Sequence, residues 1–245
     1  MSNSKINTDR IDLKNLPEHI AIIMDGNRRW AKSRFMPKEL GHKKGSDTLD
    51  IISDFGDEIG LKHMTVYAFS TENWKRTKHE VGAIMNLLRY YLDFYIKRKG
   101  KQNIKMNAIG DVSMLDPDIQ EKINELTEIT KDKTGMQLHI ALNYGGRDEI
   151  IRGIRKMNSD LKNGLISEND ICEDTFNNYL DTKGYPDPDL VIRTGGEERI
   201  SNFLLWQSAY SEFMVVDKLW PDFKKEDLID CIEKYQKRDR RFGGK

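Results

Sequence analysis

Cysteine and long apolar runs are both scarce in this chain of 245 residues. Its only cysteines, Cys172 and Cys231, lie far apart in segments that favour helix. We therefore expect neither a zinc site nor a disulfide framework, and we interpret both cysteines as packing residues. No apolar run approaches the roughly 20 residues that a membrane-spanning helix needs. Because the first eighteen residues are polar as well, the sequence predicts a cytoplasmic protein without a membrane span.

An excess of charge of one sign is also missing. Lys and Arg together number 40, as do Asp and Glu, so the composition does not favour a nucleic-acid partner, and any basic site must be a local cluster. The sequence contains neither a Walker phosphate loop nor a G-x-G-x-x-G motif. The common nucleotide-binding signatures are therefore excluded.

Short apolar segments rich in β-branched residues predict buried parallel strands. They cover residues 20–24, 64–69, 104–110, 137–142, 190–193 and 213–216. Segments with helical apolar periodicity separate them. The sequence therefore predicts an α/β fold with a mainly parallel sheet of about six strands flanked by helices. Residues 1–18 would form a polar extension, and residues 19–245 a single domain.

Two of the predicted helices matter for the site. Residues 77–80 form a capping box, and apolar residues at helical spacing follow as far as Gly100. That apolar stripe suits either core packing or the wall of a hydrophobic channel. A second helix is predicted to open at residues 41–45, where His42 and two lysines beside free N–H groups would attract an anion; an ordinary surface histidine is the alternative. A third, polar helical segment is predicted over about 167–180.

The first strand ends in a distinctive run, Asp25-Gly26-Asn27-Arg28-Arg29-Trp30. Ligands of open α/β sheets bind beyond the carboxyl ends of the strands. There Asp25 could hold a cation, the Gly26 and Asn27 amides could approach phosphate oxygens, and Arg29 could clamp them. A plain turn is the alternative for Asp25-Gly26.

The other strand ends carry similar side chains. We expect one rim to gather Asp25, Asn27, Arg29, Ser70, Asn73, Arg76, Asn143, Arg193, Arg199, Ser201 and the later Glu212. Cations, small hydroxyls and a pair of carboxylates suit two phosphate esters with a hard metal ion between them. The residues themselves thus predict a metal-dependent enzyme acting on diphosphates.

Several long motifs in the same segments resemble those of the cis-prenyltransferases, in particular the bacterial undecaprenyl diphosphate synthases. They are MDGNRRWA at 24–31, GH at 41–42, FSTENWKR at 69–76, NYGGR at 143–147, DLVIRTGGE at 189–197, RISNFLLWQ at 199–207 and YSEF at 210–213. The aspartate-rich D-D-x-x-D pair of the all-helical prenyl synthases is absent.

This resemblance implies a magnesium-dependent enzyme with a hydrophobic tunnel. It would condense isopentenyl diphosphate consecutively onto an allylic diphosphate primer, usually farnesyl diphosphate, with a cis double bond formed at each step. The expected product is long, such as undecaprenyl diphosphate, the precursor of the bacterial cell-wall lipid carrier. The enzyme would be a homodimer whose product partitions to the membrane.

The resemblance also assigns roles by position. Asp25 would bind magnesium, Asn73 would lie near the reacting carbons, and Glu212 would complete the metal site, either within the chain or from a partner subunit. The diphosphates would be held by Gly26, Asn27, Arg29, His42 and Arg76 for the primer, and by Arg193, Arg199 and Ser201 for isopentenyl diphosphate. Further substrate contacts would come from Trp30, Ser70, Thr71, Glu72, Trp74 and Ile200.

Two positions depart from the common pattern, and two further candidates lie in the C-terminal tail. Arg28 stands where glycine is frequent, and Lys38 stands where a phosphate-binding arginine is frequent; both are candidate diphosphate contacts. Arg241 and Gly243 match an Arg-x-Gly ending that would reach the active site across the dimer interface. The alternative for this tail is a solvated basic terminus.

Two other functions fit parts of the pattern. A magnesium-dependent phosphoester hydrolase could use Asp25 as nucleophile or metal ligand, but it would need a second acid beside Asp25 on a rim that is mostly arginine. A non-catalytic partner subunit of a cis-prenyltransferase is the other alternative. Retention of Asp25, Asn73 and the rim arginines argues against it.

Overall fold

Six parallel strands form the centre of the fold. This computed structural model describes residues 8–97 and 102–238. Its strands are His19–Ile23 (β1), His63–Ser70 (β2), Lys105–Ile109 (β3), Gln137–Tyr144 (β4), Leu190–Thr194 (β5) and Glu212–Val216 (β6). They pair in the order β3-β4-β2-β1-β5-β6, and every pair is parallel. The predicted α/β fold with a parallel sheet of six strands is confirmed.

Helices cover both faces of this sheet. Those in the described residues are Asn27–Ser33 (α1), Lys38–Ile59 (α2), Lys78–Lys97 (α3), Pro117–Thr130 (α4), Gly146–Lys162 (α5), Glu173–Asn177 (α6) and Lys225–Gln236 (α7). Alternate residues of β1 enter different cores, because successive strand side chains point to opposite faces. Ile20 and Ile22 pack with α2, α3, α4 and α7, whereas Ala21 and Ile23 join a smaller cluster on the other face.

The structure corrects two helix predictions. Helix α2 begins at Lys38, directly after the extended residue Pro37, so His42 lies in its second turn. The prediction that this helix opens at residues 41–45 is therefore wrong, and His42 does not stand at the helix start. The polar segment 167–180 is not one helix, because a 3-10 turn at Glu168–Asp170 is closed by Ser167 and followed by extended Ile171 before α6 begins. In contrast, the Thr77 cap of α3 is confirmed, since the Glu80 amide donates to its hydroxyl over 3.3 Å.

Glycines of α2 allow α1 to pack directly on its backbone. A Cβ atom at Gly41 would lie 2.1 Å from the carbonyl oxygen of Asn27, and one at Gly45 would lie 2.2 Å from the Asn27 Oδ1 atom. Both separations are far below a normal contact. The two glycines thus fix the position of α1, a helix that was not predicted from the sequence.

The ends of the chain and the cysteines complete the packing. Ile11 of the polar extension is buried in the main core, and Arg10 pairs with Asp230 of α7 over 2.8 Å. Cys231 is buried on α7, as expected. Cys172 is exposed at the start of α6, so the prediction that it packs in the interior is wrong.

Candidate active site

The carboxyl ends of β1, β2, β4 and β5 meet at one edge of the sheet, as predicted. Parallel pairing places Ile23 beside Arg193, and Ser70 beside Tyr144. Glu212 is the exception, because it opens β6 and pairs with Leu190 at the start of β5. It therefore lies at the opposite edge, where its carboxylate pairs with Arg238. The prediction that Glu212 shares the rim with Asp25 is wrong within one chain, so a shared metal would require a second subunit.

Asp25 is held between two arginines. Its Oδ2 atom accepts a hydrogen bond from Arg193 Nη2 over 2.8 Å, and its Oδ1 atom lies 3.3 Å from Arg29 Nη2. Burial opposes ionisation of this carboxyl, but the hydrogen bond and charge of Arg193, with the charge of Arg29, outweigh it and lower the pKa of Asp25. The carboxylate is therefore ionised at neutral pH.

Arg193 is fixed by its own contacts. It is only 4% exposed, and its Nη1 atom donates to the Arg199 carbonyl and, over 2.6 Å, to Ser201 Oγ. Its Nε atom is buried without a hydrogen-bond partner among the described residues. A buried donor without a partner is costly, so it is a candidate contact for an anionic ligand.

The single carboxylate of Asp25 suits magnesium better than a metal ion that takes all of its ligands from protein side chains. Within residues 8–97 and 102–238, no group of three or more His, Cys, Asp or Glu side chains is arranged to hold a metal ion. Magnesium commonly takes one or two protein carboxylates and completes its octahedron with water and substrate phosphate oxygens. An ionised, partly exposed Asp25 beside anion-binding arginines fits that arrangement.

The segment after β2 is braced by its own side chains. Ser70 N donates to Asn73 Oδ1 over 3.2 Å, and Trp74 Nε1 donates to Asn143 Oδ1 over 2.7 Å. Glu72 accepts from Asn202 Nδ2 over 2.8 Å, which joins this segment to the one after β5. Glu72 and Trp74, predicted as substrate contacts, thus have structural partners here.

The segment after β5 adopts unusual backbone angles. Ser201, Asn202 and Leu204 have φ values of 53°, 64° and 44°, which non-glycine residues rarely adopt. Asn202 is held by the turn after β4, since its carbonyl accepts from Gly146 N over 2.7 Å and its Oδ1 atom accepts from Arg147 N over 2.9 Å. The NYGGR motif therefore supports the loop that presents Arg199 and Ser201.

Helices α1, α2 and α3 contribute the other side of the rim. Burial, and then the charges of Arg76 and Arg28, lower the pKa of His42 to about 4. Burial and the charge of Arg28 likewise lower the pKa of Arg76, whose side chain makes no ion pair with any residue that the structure describes. Glu80 of α3 pairs with Lys38 over 3.0 Å and with Arg28 over 3.5 Å. The two departures from the common pattern therefore share one counterion.

Most of the predicted residues line one of two connected spaces. An open groove of about 800 Å³ is lined by Asp25, Gly26, Asn27, Arg28, Arg29, Lys38, His42, Arg76 and Arg199. A cavity of about 680 Å³ adjoins it and is lined by Ser70, Glu72, Asn73, Arg193 and Ser201, together with Asp25, Asn27, His42 and Arg76.

Four predicted contacts reach neither space: Trp30, Thr71, Trp74 and Ile200. Trp30 instead donates to Asp222 over 2.7 Å, and Ile200 packs on the smaller core. For these two side chains the structure shows packing and bracing contacts. Arg241 and Gly243 lie outside the described residues.

The inner part of the cavity is apolar. Its walls include Leu49 of α2, Leu88 and Leu92 of α3, and Ile140 and Leu142 of β4. The stripe on α3 is thus both core and channel wall: Met85 is buried in the core away from the cavity, while Ile84, Leu88, Leu92 and Tyr95 line the cavity. The β4 residues were missed, because an apolar strand interior looks the same whether it faces core or cavity.

Comparison with known proteins gives a consistent result. A family model described as putative undecaprenyl diphosphate synthase matches residues 23–243. An isoprenyl transferase of Clostridium tetani is 54% identical over 236 residues, covering 96% of this chain and 92% of that protein. A ditrans,polycis-undecaprenyl-diphosphate synthase of Micrococcus luteus, described as (2E,6E)-farnesyl-diphosphate specific, is 47% identical over 239 residues, covering 98% and 96%.

Solved structures show the same fold. Lavandulyl diphosphate synthase from Lavandula x intermedia, in complex with dimethylallyl diphosphate, superposes with a TM-score of 0.90 at 37% identity, covering 94% of this chain and 99% of that one. A probable undecaprenyl diphosphate synthase from Campylobacter jejuni has a TM-score of 0.79 at 33% identity, covering 94% and 100%. The similarity extends over nearly the whole chain.

Proposed function

The chain belongs to the undecaprenyl diphosphate synthase family of prenyltransferases, and from this premise we propose that it is a magnesium-dependent cis-prenyltransferase. It condenses isopentenyl diphosphate consecutively onto an allylic primer, farnesyl diphosphate. The observation that carries the proposal is the continuity of a charged rim with an apolar cavity of about 680 Å³. Such a space accepts a molecule with a diphosphate at one end and a hydrocarbon chain at the other.

The rim offers two groups of anion-binding side chains, one on each side of Asp25. Gly26, Asn27, Arg29, His42 and Arg76 would hold the primer diphosphate from the side of the helices. Arg193, Arg199 and Ser201 would hold isopentenyl diphosphate from the side of β5. Arg193 contacts both Asp25 and Ser201, so the two subsites adjoin, as transfer between their ligands requires.

Charge stabilisation explains how this arrangement assists the reaction. Asp25 would hold magnesium, which supplies positive charge to the departing diphosphate when bound. Arg29 and Arg76 stabilise the same developing charge, and the arginines after β5 orient isopentenyl diphosphate. The allylic carbon becomes cation-like, the isopentenyl double bond attacks it, and a proton is lost from the new chain. Asn73, beside the cavity, would lie near the reacting carbons.

The apolar cavity supports a long product. Each condensation adds hydrocarbon that must leave water, and α3 presents an apolar wall along the cavity. We therefore assign a long-chain polyprenyl diphosphate such as undecaprenyl diphosphate, the precursor of the bacterial cell-wall lipid carrier. No helix in the described part of the chain has the length and apolar character needed to cross a bilayer. A cytoplasmic location and partition of the product to the membrane belong to the same proposal.

A homodimer is part of the proposal as well. Ile151 and Ile154 lie three residues apart on α5 and each remain 49% exposed, so they form an apolar patch on one helix face. Glu212 can reach a metal at Asp25 only from a second subunit, given its position at the opposite edge of the sheet. Partner association would account for both features.

Turnover by the purified chain alone tests this function. With farnesyl diphosphate, radiolabelled isopentenyl diphosphate and magnesium, we expect label in a long product, and a chelator should remove the activity. Release of phosphate without chain growth would support the hydrolase alternative, although the groups bonded to Asp25 are arginines rather than a second acid. No turnover unless a related catalytic chain is added would indicate the non-catalytic subunit.

A further inference from the structure

The corner between α1 and α2 exposes an aromatic side chain in an unusual backbone conformation. Phe35 is 100% exposed, and its φ is 54°. Its amide donates to the Lys32 carbonyl over 3.2 Å, and the Met36 amide donates to the Ala31 carbonyl over 2.9 Å. This pair of bonds closes α1 as a Schellman motif, in which the position of Phe35 is usually glycine.

Within the described residues this side chain packs on nothing, so the fold gains little from having phenylalanine there. A bulky residue with positive φ is strained, and a fully exposed ring adds no core packing to offset that strain. Glycine would fit the same turn without the strain. A large, fully exposed apolar side chain at such a position indicates a contact outside the chain.

The surroundings of Phe35 combine apolar and cationic groups. Met36 and Leu40 are 44% and 45% exposed, and Lys43 and Lys44 lie on the same helix face as Leu40. Residues 28–44 contain seven Lys or Arg and one acid, Glu39, although the whole chain has no net charge. The side chains of Lys32, Lys43 and Lys44 form no ion pair with any described residue. Exposed apolar side chains surrounded by lysines without ion-pair partners suit binding to an anionic lipid surface.

We propose that this corner, formed by Phe35, Met36 and Leu40 with Lys32, Lys43 and Lys44, docks on an anionic lipid bilayer. The inference deepens the proposed function and rests on it, because a polyprenyl product has to reach a membrane. Phe35 and Met36 stand at the edge of the groove that Asp25 and Arg199 also line. Docking there would place the diphosphate rim close to the lipid headgroups while the apolar side chains enter the acyl boundary.

Substituting Phe35 by glycine separates membrane binding from folding. We expect the full chain to sediment with vesicles of phosphatidylglycerol and phosphatidylcholine, but weakly with phosphatidylcholine alone. Phe35→Gly should lower the vesicle partition coefficient at least ~10-fold, the scale of one buried aromatic side chain. It should leave the melting temperature equal or higher, because glycine relieves the positive φ. A loss of binding could then not be attributed to unfolding.

Leu165→Ser provides a matched control. Leu165 is 71% exposed, and it follows α5, which runs back from the carboxyl edge of the sheet, so it lies towards the opposite edge. This variant should bind vesicles like the parent chain.

Unchanged vesicle binding of Phe35→Gly, or equal binding to neutral vesicles, would overturn the proposal. So would a Phe35→Gly chain that becomes smaller by light scattering, since the corner would then join two copies. Vesicle binding is measured without substrates, so a chain that turns over but does not bind vesicles would refute docking alone. A chain that binds but does not turn over would refute the proposed reaction alone.

Discussion

Replacing Gly41 by alanine tests whether the close contact between α1 and α2 positions the rim. The new Cβ atom would lie 2.1 Å from the Asn27 carbonyl oxygen and 3.1 Å from the Ala31 Cβ atom. A backbone oxygen cannot rotate out of the way as a side chain can, so α1 must move. Overpacking of this kind costs up to about 3 kcal/mol, and the better helix propensity of alanine returns about 1 kcal/mol.

We therefore expect a net loss of about 2 kcal/mol in the free energy of unfolding. For a domain of this size that corresponds to a melting temperature about 4–8 °C lower. Because α1 carries Asn27 and Arg29 beside Asp25, a displacement of about 1 Å should also reduce kcat/KM by about 10- to 100-fold. Thermal unfolding and steady-state kinetics of the same preparation measure the two effects.

Gly82→Ala is the matched control for this variant. Gly82 lies in α3, and a Cβ atom there would have no heavy atom within 4 Å. The control should be as stable as the parent chain or more stable by up to about 1 kcal/mol, with normal turnover. If Gly41→Ala behaved like Gly82→Ala, the contact would not determine the position of α1.

Three further predictions concern Asp25, His19 and the C-terminal tail. Asp25→Ala should lower turnover at least ~100-fold with much less effect on substrate binding, and near-normal rates with magnesium would refute its role. Burial lowers the pKa of His19 from 6.5 to about 4, so the unfolded chain takes up this proton first. The contribution of His19 to the free energy of unfolding should then fall by about 3 kcal/mol from pH 6.5 to pH 4, and His19→Gln should remove that contribution from a denaturation profile. Removal of the residues after Arg240 should lower turnover at least ~10-fold while light scattering still shows a dimer; a fully active truncated dimer would identify the tail as a solvated terminus.

Much of the fold and rim could be predicted because the sequence patterns that indicate them lie within single short segments of the chain. Runs such as residues 20–24 are apolar and short, and polar residues follow directly, so both the strand and the site edge could be inferred. Helix α1 lacked such a signal, since Ala31 is its only buried residue. Its position depends on Gly41 and Gly45, which touch it only after the chain has folded.

The error at Glu212 has a different origin. Residue 212 precedes an apolar run, whereas the other rim residues follow one, and in a parallel sheet the two positions lie at opposite edges. The order of polar and apolar residues could therefore have revealed it. The bonds from Trp74 to Asn143 and from Asn202 to Glu72 could not be foreseen, because they join segments far apart in sequence.

The division of the rim between two diphosphates is the central claim, and direct binding of each substrate alone tests it, since neither can react without the other. Arg199 is 64% exposed and Arg76 has no ion pair among the described residues, so alanine at either position should leave the fold intact. Arg199→Ala should weaken isopentenyl diphosphate binding by about 1.5–3 kcal/mol, roughly 10-fold or more, and leave farnesyl diphosphate binding nearly unchanged. Arg76→Ala should do the reverse. The opposite pattern, or equal loss of both substrates in each variant, would contradict the two-subsite rim.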